Sequence, residues 1–262
     1  MIQADFDFTS PLMTPLAACT LIGLSALATA GLIRLLLPVF RNYALARPNA
    51  RSSHQIPTPQ GGGFAVITVS FTVFFTYFLT AQAESLPKSL LVMMGASLGL
   101  MILGGIDDIK PLPALPRFLL QGVLITMTLM QLTVQTRLLP AALPLLIEQI
   151  LLGLALLWFI NLVNFMDGID LITVAEMLPL WILVLYFSSV TQDIALLLLS
   201  LSLIGALLGF APFNWPMARL FLGDIGSLPL GLLTGWALLK LAYATSVVLA
   251  LVPALYYIAD AT

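Results

Sequence analysis

Charge is what this chain has least of. Only 8% of its 262 residues are Asp, Glu, Lys or Arg and 60% are hydrophobic, whereas an ordinary soluble domain is about 25% charged. With a mean hydropathy of +1.07, too little polar surface exists to coat a water-exposed globule, which excludes that class. Cysteine occurs once, at Cys19, so an intrachain disulfide is excluded too. A Walker-type Gly-Lys-Ser/Thr loop is missing, which argues against an ATP-driven pump. Residues 1–10 carry Asp5 and Asp7 but no basic residue. That is the wrong n-region for a signal peptide, so the first apolar block is expected to be a retained span.

What remains is apolar blocks long enough to cross a bilayer, which takes about 20 helical residues. Backbone groups in lipid must be bonded internally, so the blocks read as helices and the fold class as all-α, polytopic and membrane-embedded. Nine spans are expected, over 15–38, 63–81, 89–105, 118–136, 145–163, 173–190, 194–212, 228–240 and 244–259. No soluble domain fits between them, so residues 1–262 read as one integral membrane domain. Alternation puts Arg41, Arg47, Arg51, Lys110, Arg117 and Arg219 on one face, and Lys88 and Arg137 on the other, with Lys240 at its edge. The basic excess marks the first face as cytoplasmic and places the N-terminus outside.

Sorted by this topology, the acids gather. Asp107 and Asp108 end the third span, Asp167 and Asp170 follow the fifth, and Asp224 follows the seventh, all on the cytoplasmic face. One acid at a helix end is most simply a solvated or capping residue; three clusters on one face of a chain with 12 acids point to a site. The chemistry suggested is metal-assisted handling of phosphate. Magnesium binds through one or two carboxylates plus phosphate oxygens, and a diphosphate would be repelled by the aspartates without a cation.

The first cytoplasmic loop, with Arg47, Arg51, His54, Pro57-Thr-Pro59, Gln60 and Gly61-Gly-Gly63, supplies complementary charge. Its glycines are expected to let backbone N–H groups approach an anion. An ordinary basic juxtamembrane loop explains the arginines but not the Pro/Gly turn.

Arg51-Ser-Ser-His54, Pro57-Thr-Pro59 with the three glycines, Asp107-Asp108, Asn164-Phe-Met-Asp167-Gly-Ile-Asp170 and Phe213-Asn214-Trp-Pro216…Gly223-Asp224-Ile-Gly-Ser227 together resemble the polyprenyl-phosphate N-acetylhexosamine-1-phosphate transferases. The match runs in order from about Arg47 to the last span, and looks closer to the branch that starts O-antigen or teichoic-acid glycans. The resemblance implies a bacterial inner-membrane enzyme that uses a UDP-N-acetylhexosamine and undecaprenyl phosphate, releases UMP, and takes magnesium, with manganese as a substitute. No nucleic-acid partner is implied, and a homodimer is left open. It further implies Asp224 as the metal ligand and Asp107 and Asp108 at the lipid phosphate. Asn164, Asp167 and Asp170, with Asn214 nearby, would hold the nucleotide or sugar, and Arg51 and His54 would contact phosphate.

The chain departs from the family pattern at three places. Leu171 stands where glycine usually follows Asp-Gly-Ile-Asp, which predicts crowding of the nucleotide site. Gln60 stands where a basic residue is common. The sequence stops at Asp260-Ala-Thr262, whereas the family continues into a cytoplasmic segment whose histidines belong to the site. The rival readings are a transporter, disfavoured because span interiors are almost free of charge, and an inactive relative acting as an assembly partner.

Overall fold

The computed structural model describes residues 13–46, 57–80, 86–132, 137–139, 143–255 and 259. Among them, eight helices are long and apolar enough to cross a membrane. They are α1 (Pro15–Tyr43), α2 (Gly62–Thr80), α3 (Lys88–Ile109), α4 (Ala114–Leu132), α5 (Leu145–Met166), α6 (Ile172–Val190), α7 (Ile194–Asn214) and α8 (Asp224–Ala244). The chain is therefore an all-α polytopic membrane protein.

Several expected boundaries move: α1 and α3 run on to Tyr43 and Ile109 instead of 38 and 105, and α4 begins at Ala114 instead of 118. The eighth span begins at Asp224 instead of 228, because α8 is capped from another helix, as described below. The ninth is shorter than expected among the described residues. Ser246 caps Leu249 N–H at 3.2 Å to start α9 (Val247–Leu251), and a 3-10 turn containing Pro253 follows at once. Eight spanning helices, rather than nine, are described.

Burial ranks the helices. α7 and α8 are enclosed nearly all round and form the axis of the bundle. α1, α2 and α6 pack around α7, while α3, α5 and α2 pack around α8. α4 lies outside, against α3 and α5, and turns Leu119 and Val123 outward. Lipid is as apolar as leucine, so close approach and polar contacts, not hydrophobic drive, must set such interfaces. At the α2–α8 crossing, a Cβ on Gly63 would lie 2.1 Å from the Gly226 Cα. Only two facing glycines allow that approach.

The C-terminal ends of α1, α3, α5 and α7 meet the N-terminal ends of α2, α4, α6 and α8 at one face. A two-residue ribbon, β1 (Leu45–Ala46) with β2 (Thr58–Pro59), clasps the α1–α2 connection there. At the opposite face, Glu148 in the first turn of α5 is buried. It accepts hydrogen bonds from Arg137 Nε at 2.8 Å, Leu138 N–H at 2.7 Å and Leu139 N–H at 3.2 Å. Arg137 also donates to the Leu143 carbonyl, so residues 137–139 are strapped to that helix end.

Candidate functional site

The helix ends converge on Asp224. Asn164, on the last turn of α5, donates from Nδ2 to Asp224 Oδ1 at 2.7 Å and to Ser227 Oγ at 2.8 Å. Arg117, at the start of α4, places Nη2 3.5 Å from Asp224 Oδ2. Its Nη1 donates to Asp107 Oδ2 at 2.5 Å, and Leu112 N–H donates to Asp107 Oδ1 at 2.6 Å. Among the described residues, both ion pairs at this face use Arg117. Asp224 keeps a quarter of its side chain exposed. It opens, with Asp107, Asp108, Gln60, Asn42 and Pro111, on a cavity of about 640 Å³.

Asp108 does something the sequence reading did not foresee. Its Oδ1 accepts from Asp224 N–H and its Oδ2 from Ile225 N–H, each at 3.0 Å. No local side chain caps α8, so a carboxylate 116 residues earlier satisfies its first donors and offsets the positive helix end. Gly223 makes room: at φ 78° it holds a conformation that favours glycine, and a Cβ there would lie 2.6 Å from Asp108 Oδ2. Asp108 thus caps α8, a role the sequence did not suggest, while its side chain still lines the cavity.

The Gly61–Gly63 turn is corrected likewise. The N–H groups of Gly61 and Gly62 donate to the Phe221 carbonyl at 3.2 and 2.9 Å, and that of Gly63 to Leu222 at 2.9 Å. They fasten α2 to the segment leading into Asp224 and are not turned toward an anion. Gln60 joins the same seam, donating from Nε2 to the Asp108 carbonyl at 3.0 Å.

The α5–α6 loop lies beside this cluster. Asp167 Oδ1 accepts from Thr173 Oγ1 at 2.5 Å. Burial, reinforced by the neighbouring carboxylates of Asp224 and Asp108, pushes the Asp167 carboxyl up to about 8. Asp170 Oδ2 accepts from Ala218 N–H at 3.1 Å. Asn214, expected to hold substrate, is buried; its Oδ1 accepts from Leu171 N–H at 2.8 Å and its Nδ2 donates to the Leu220 carbonyl at 3.2 Å. Asp170 and Asn214 therefore strut the 167–171 loop against the 215–222 segment. Leu171 has φ 64°, the left-handed region. A glycine would be at ease in that conformation.

Arg51 and His54 lie outside the described residues. Arg117 was placed on this face from the sequence but not assigned to the site. Its signal is a cation ten residues after Asp107, opening a helix beside it.

A multi-pass membrane chain whose aspartates are gathered at helix ends around one cavity is the class these features define. The glycosyl transferase family 4 model matches residues 90–242, and the chain belongs to that family. It is 32% identical over 249 residues to the decaprenyl-phosphate N-acetylglucosaminephosphotransferase of Mycolicibacterium smegmatis, covering 85% of this chain and 60% of that protein. To the Mycobacterium tuberculosis protein of the same name it is 31% identical, over 84% of this chain and 59% of that protein. A shorter match, 44% identical over 82 residues, joins it to a phospho-N-acetylmuramoyl-pentapeptide-transferase of Lactococcus lactis subsp. cremoris, covering 29% of this chain and 24% of that protein. The chain thus spans about three fifths of the length of the mycobacterial relatives.

Proposed function

We propose that this chain is the membrane core of a bacterial inner-membrane enzyme that transfers N-acetylhexosamine-1-phosphate from a UDP-sugar to undecaprenyl phosphate, with its site face in the cytoplasm, initiating a cell-envelope glycan. The observation that carries the reading is the meeting of α3, α4, α5 and α8 around Asp224 beside an open polar cavity. The names of its relatives, one set acting on decaprenyl phosphate, favour a polyprenyl-phosphate acceptor.

In the reaction, an oxygen of the lipid phosphate attacks the phosphorus that carries the sugar. The bond from that phosphorus to the bridging oxygen breaks, and UMP leaves with the electron pair. Lipid phosphate is already largely ionised near neutral pH, so the protein's task at that end is orientation. Arg117 offers a cation for it, and Asp107 fixes Arg117 in turn. Asn164 orients Asp224 by holding Oδ1, which leaves Oδ2 toward Arg117 and the cavity. Asp167 faces the nucleotide or sugar, on a loop stiffened by Asp170 and Asn214.

The donor set suits magnesium. Among the described residues no three candidate ligands form a ready-made cage, and magnesium asks for none, since substrate phosphates and water complete its shell. Asp224 would hold the ion, with manganese as a substitute; when bound it would neutralise charge developing between the phosphates. Arg51 and His54 are retained as phosphate contacts on the resemblance alone.

The test incubates membranes holding the protein with labelled UDP-N-acetylglucosamine and undecaprenyl phosphate, with and without magnesium. Label should enter the lipid fraction only with magnesium. Asp224→Asn should abolish this while the protein still inserts; full activity in that variant would refute the metal assignment.

A further inference from the structure

We infer that Gln121 and Asn161 are positioning residues, an amide pair that fixes α4 against α5 and so holds the two side chains that grip Asp224. The effect on turnover rests on the proposed transferase reading; the structural effect does not.

Asn161 Nδ2 donates to Gln121 Oε1 at 2.8 Å and to its own helix, at the Leu157 carbonyl, at 2.8 Å. Gln121 is fully buried. The spacing gives the pair its meaning. Gln121 is four residues beyond Arg117 on α4, and Asn161 is three before Asn164 on α5, so each lies one turn inward on the same helix face. In the outer layer, Arg117 and Asn164 both reach Asp224, at 3.5 and 2.7 Å. In the inner layer the two helices bond to each other. α4 and α5 are therefore joined twice, once through the aspartate and once directly.

α4 is the helix that most needs a brace. It sits outside the bundle with Leu119 and Val123 turned outward, and lipid supplies no hydrophobic drive to hold it in one rotation or depth. A directional hydrogen bond does. Stability alone does not account for the pair, because Gln121 Nε2 is buried with no partner. A leucine pair of similar volume would lack that unsatisfied donor.

The experiment compares wild type, Gln121→Leu/Asn161→Leu, and the exchanged pair Gln121→Asn/Asn161→Gln, all on a Cys19→Ser background. Spin labels at the lipid-facing Leu119 of α4 and Leu154 of α5 report the helix separation. The leucine pair should melt at or above the wild-type temperature, broaden the label distance, and lose at least tenfold in kcat/KM. The exchanged pair should restore a narrow distance and most of the turnover. An unchanged distance distribution in the leucine pair would overturn the proposal, as would a broadened one that the exchanged pair does not narrow. A turnover loss matched by an equal loss of thermal stability would overturn it too, by reducing the pair to a structural contact. If wild type moves no label into lipid but the distances behave as described, the transferase reading fails and the brace stands.

Discussion

Adding one methyl group at Gly63 tests how the site is assembled without touching any group proposed to meet substrate. The new Cβ would lie 2.1 Å from Gly226 Cα and 2.4 Å from Gly226 N. Carbon atoms settle at about 3.5–4.0 Å, so α2 and α8 would have to part by roughly 1.5 Å. Backbone is on the receiving side, so no rotamer change absorbs the overlap. Overpacking of this kind costs about 1–3 kcal/mol. The bonds from Gly61, Gly62 and Gly63 to Phe221 and Leu222 would be stretched, at about 1 kcal/mol for each one lost. Since Gly226 is two residues from Asp224, the displacement reaches the site, where a shift of about 1 Å can cost on the order of 100-fold in rate. Gly63→Ala should therefore lower both the temperature at which detergent-purified protein loses its monodisperse chromatographic peak and the lipid-labelling rate, the latter by about two orders of magnitude. Gly95→Ala is the control. It adds a methyl to α3 with nothing within 4 Å and should be neutral or stabilising, by up to about 1 kcal/mol. Wild-type melting and turnover in Gly63→Ala would refute the reasoning.

Asp108→Ala should destabilise α8 by about 3 kcal/mol, two charge-assisted hydrogen bonds at roughly 1.5 kcal/mol or more each, and Asp108→Asn by clearly less, since one acceptor survives; equal losses in unfolding would rule out the cap. Leu171→Gly relieves a left-handed conformation that costs a side-chain-bearing residue about 1–2 kcal/mol, against the loss of Leu171 packing on the core. A small rise in melting temperature is expected, and a fall would show that packing outweighs strain. Asp167, with its folded value at about 8 and its unfolded value near 3.9, binds more protons in the folded state between those limits. In chelator, stability should fall as pH rises through that window. A melting temperature that rises from pH 5 to 8 would contradict the burial of this carboxyl.

The bundle was legible in the sequence because lipid imposes one rule, and apolar length obeys it. The gathering of Asp107, Asp167 and Asp224 at one face was legible for the same reason, since alternating spans leave their ends nowhere else to go. What each residue does there was less so. The Asp108 cap spans 116 residues, and no local pattern marks it. The three glycines read as an anion cradle because their spacing says nothing of Gly226 on a distant helix. Leu171 read as bulk, whereas its backbone angle is what departs from the ordinary. Gln121 was passed over because it sits within a stretch taken as uniformly apolar.

The strap at Glu148 ties the far face of the bundle to the face that carries Asp224. A helix is a stiff rod rising about 1.5 Å per residue, so Glu148 and Asn164 on α5 stand roughly 24 Å apart along one axis. Pinning the carboxylate of Glu148 to Arg137 and the Leu138 and Leu139 amides stops that rod from sliding. The depth at which Asn164 meets Asp224 is then set in part by an ion pair at the opposite face.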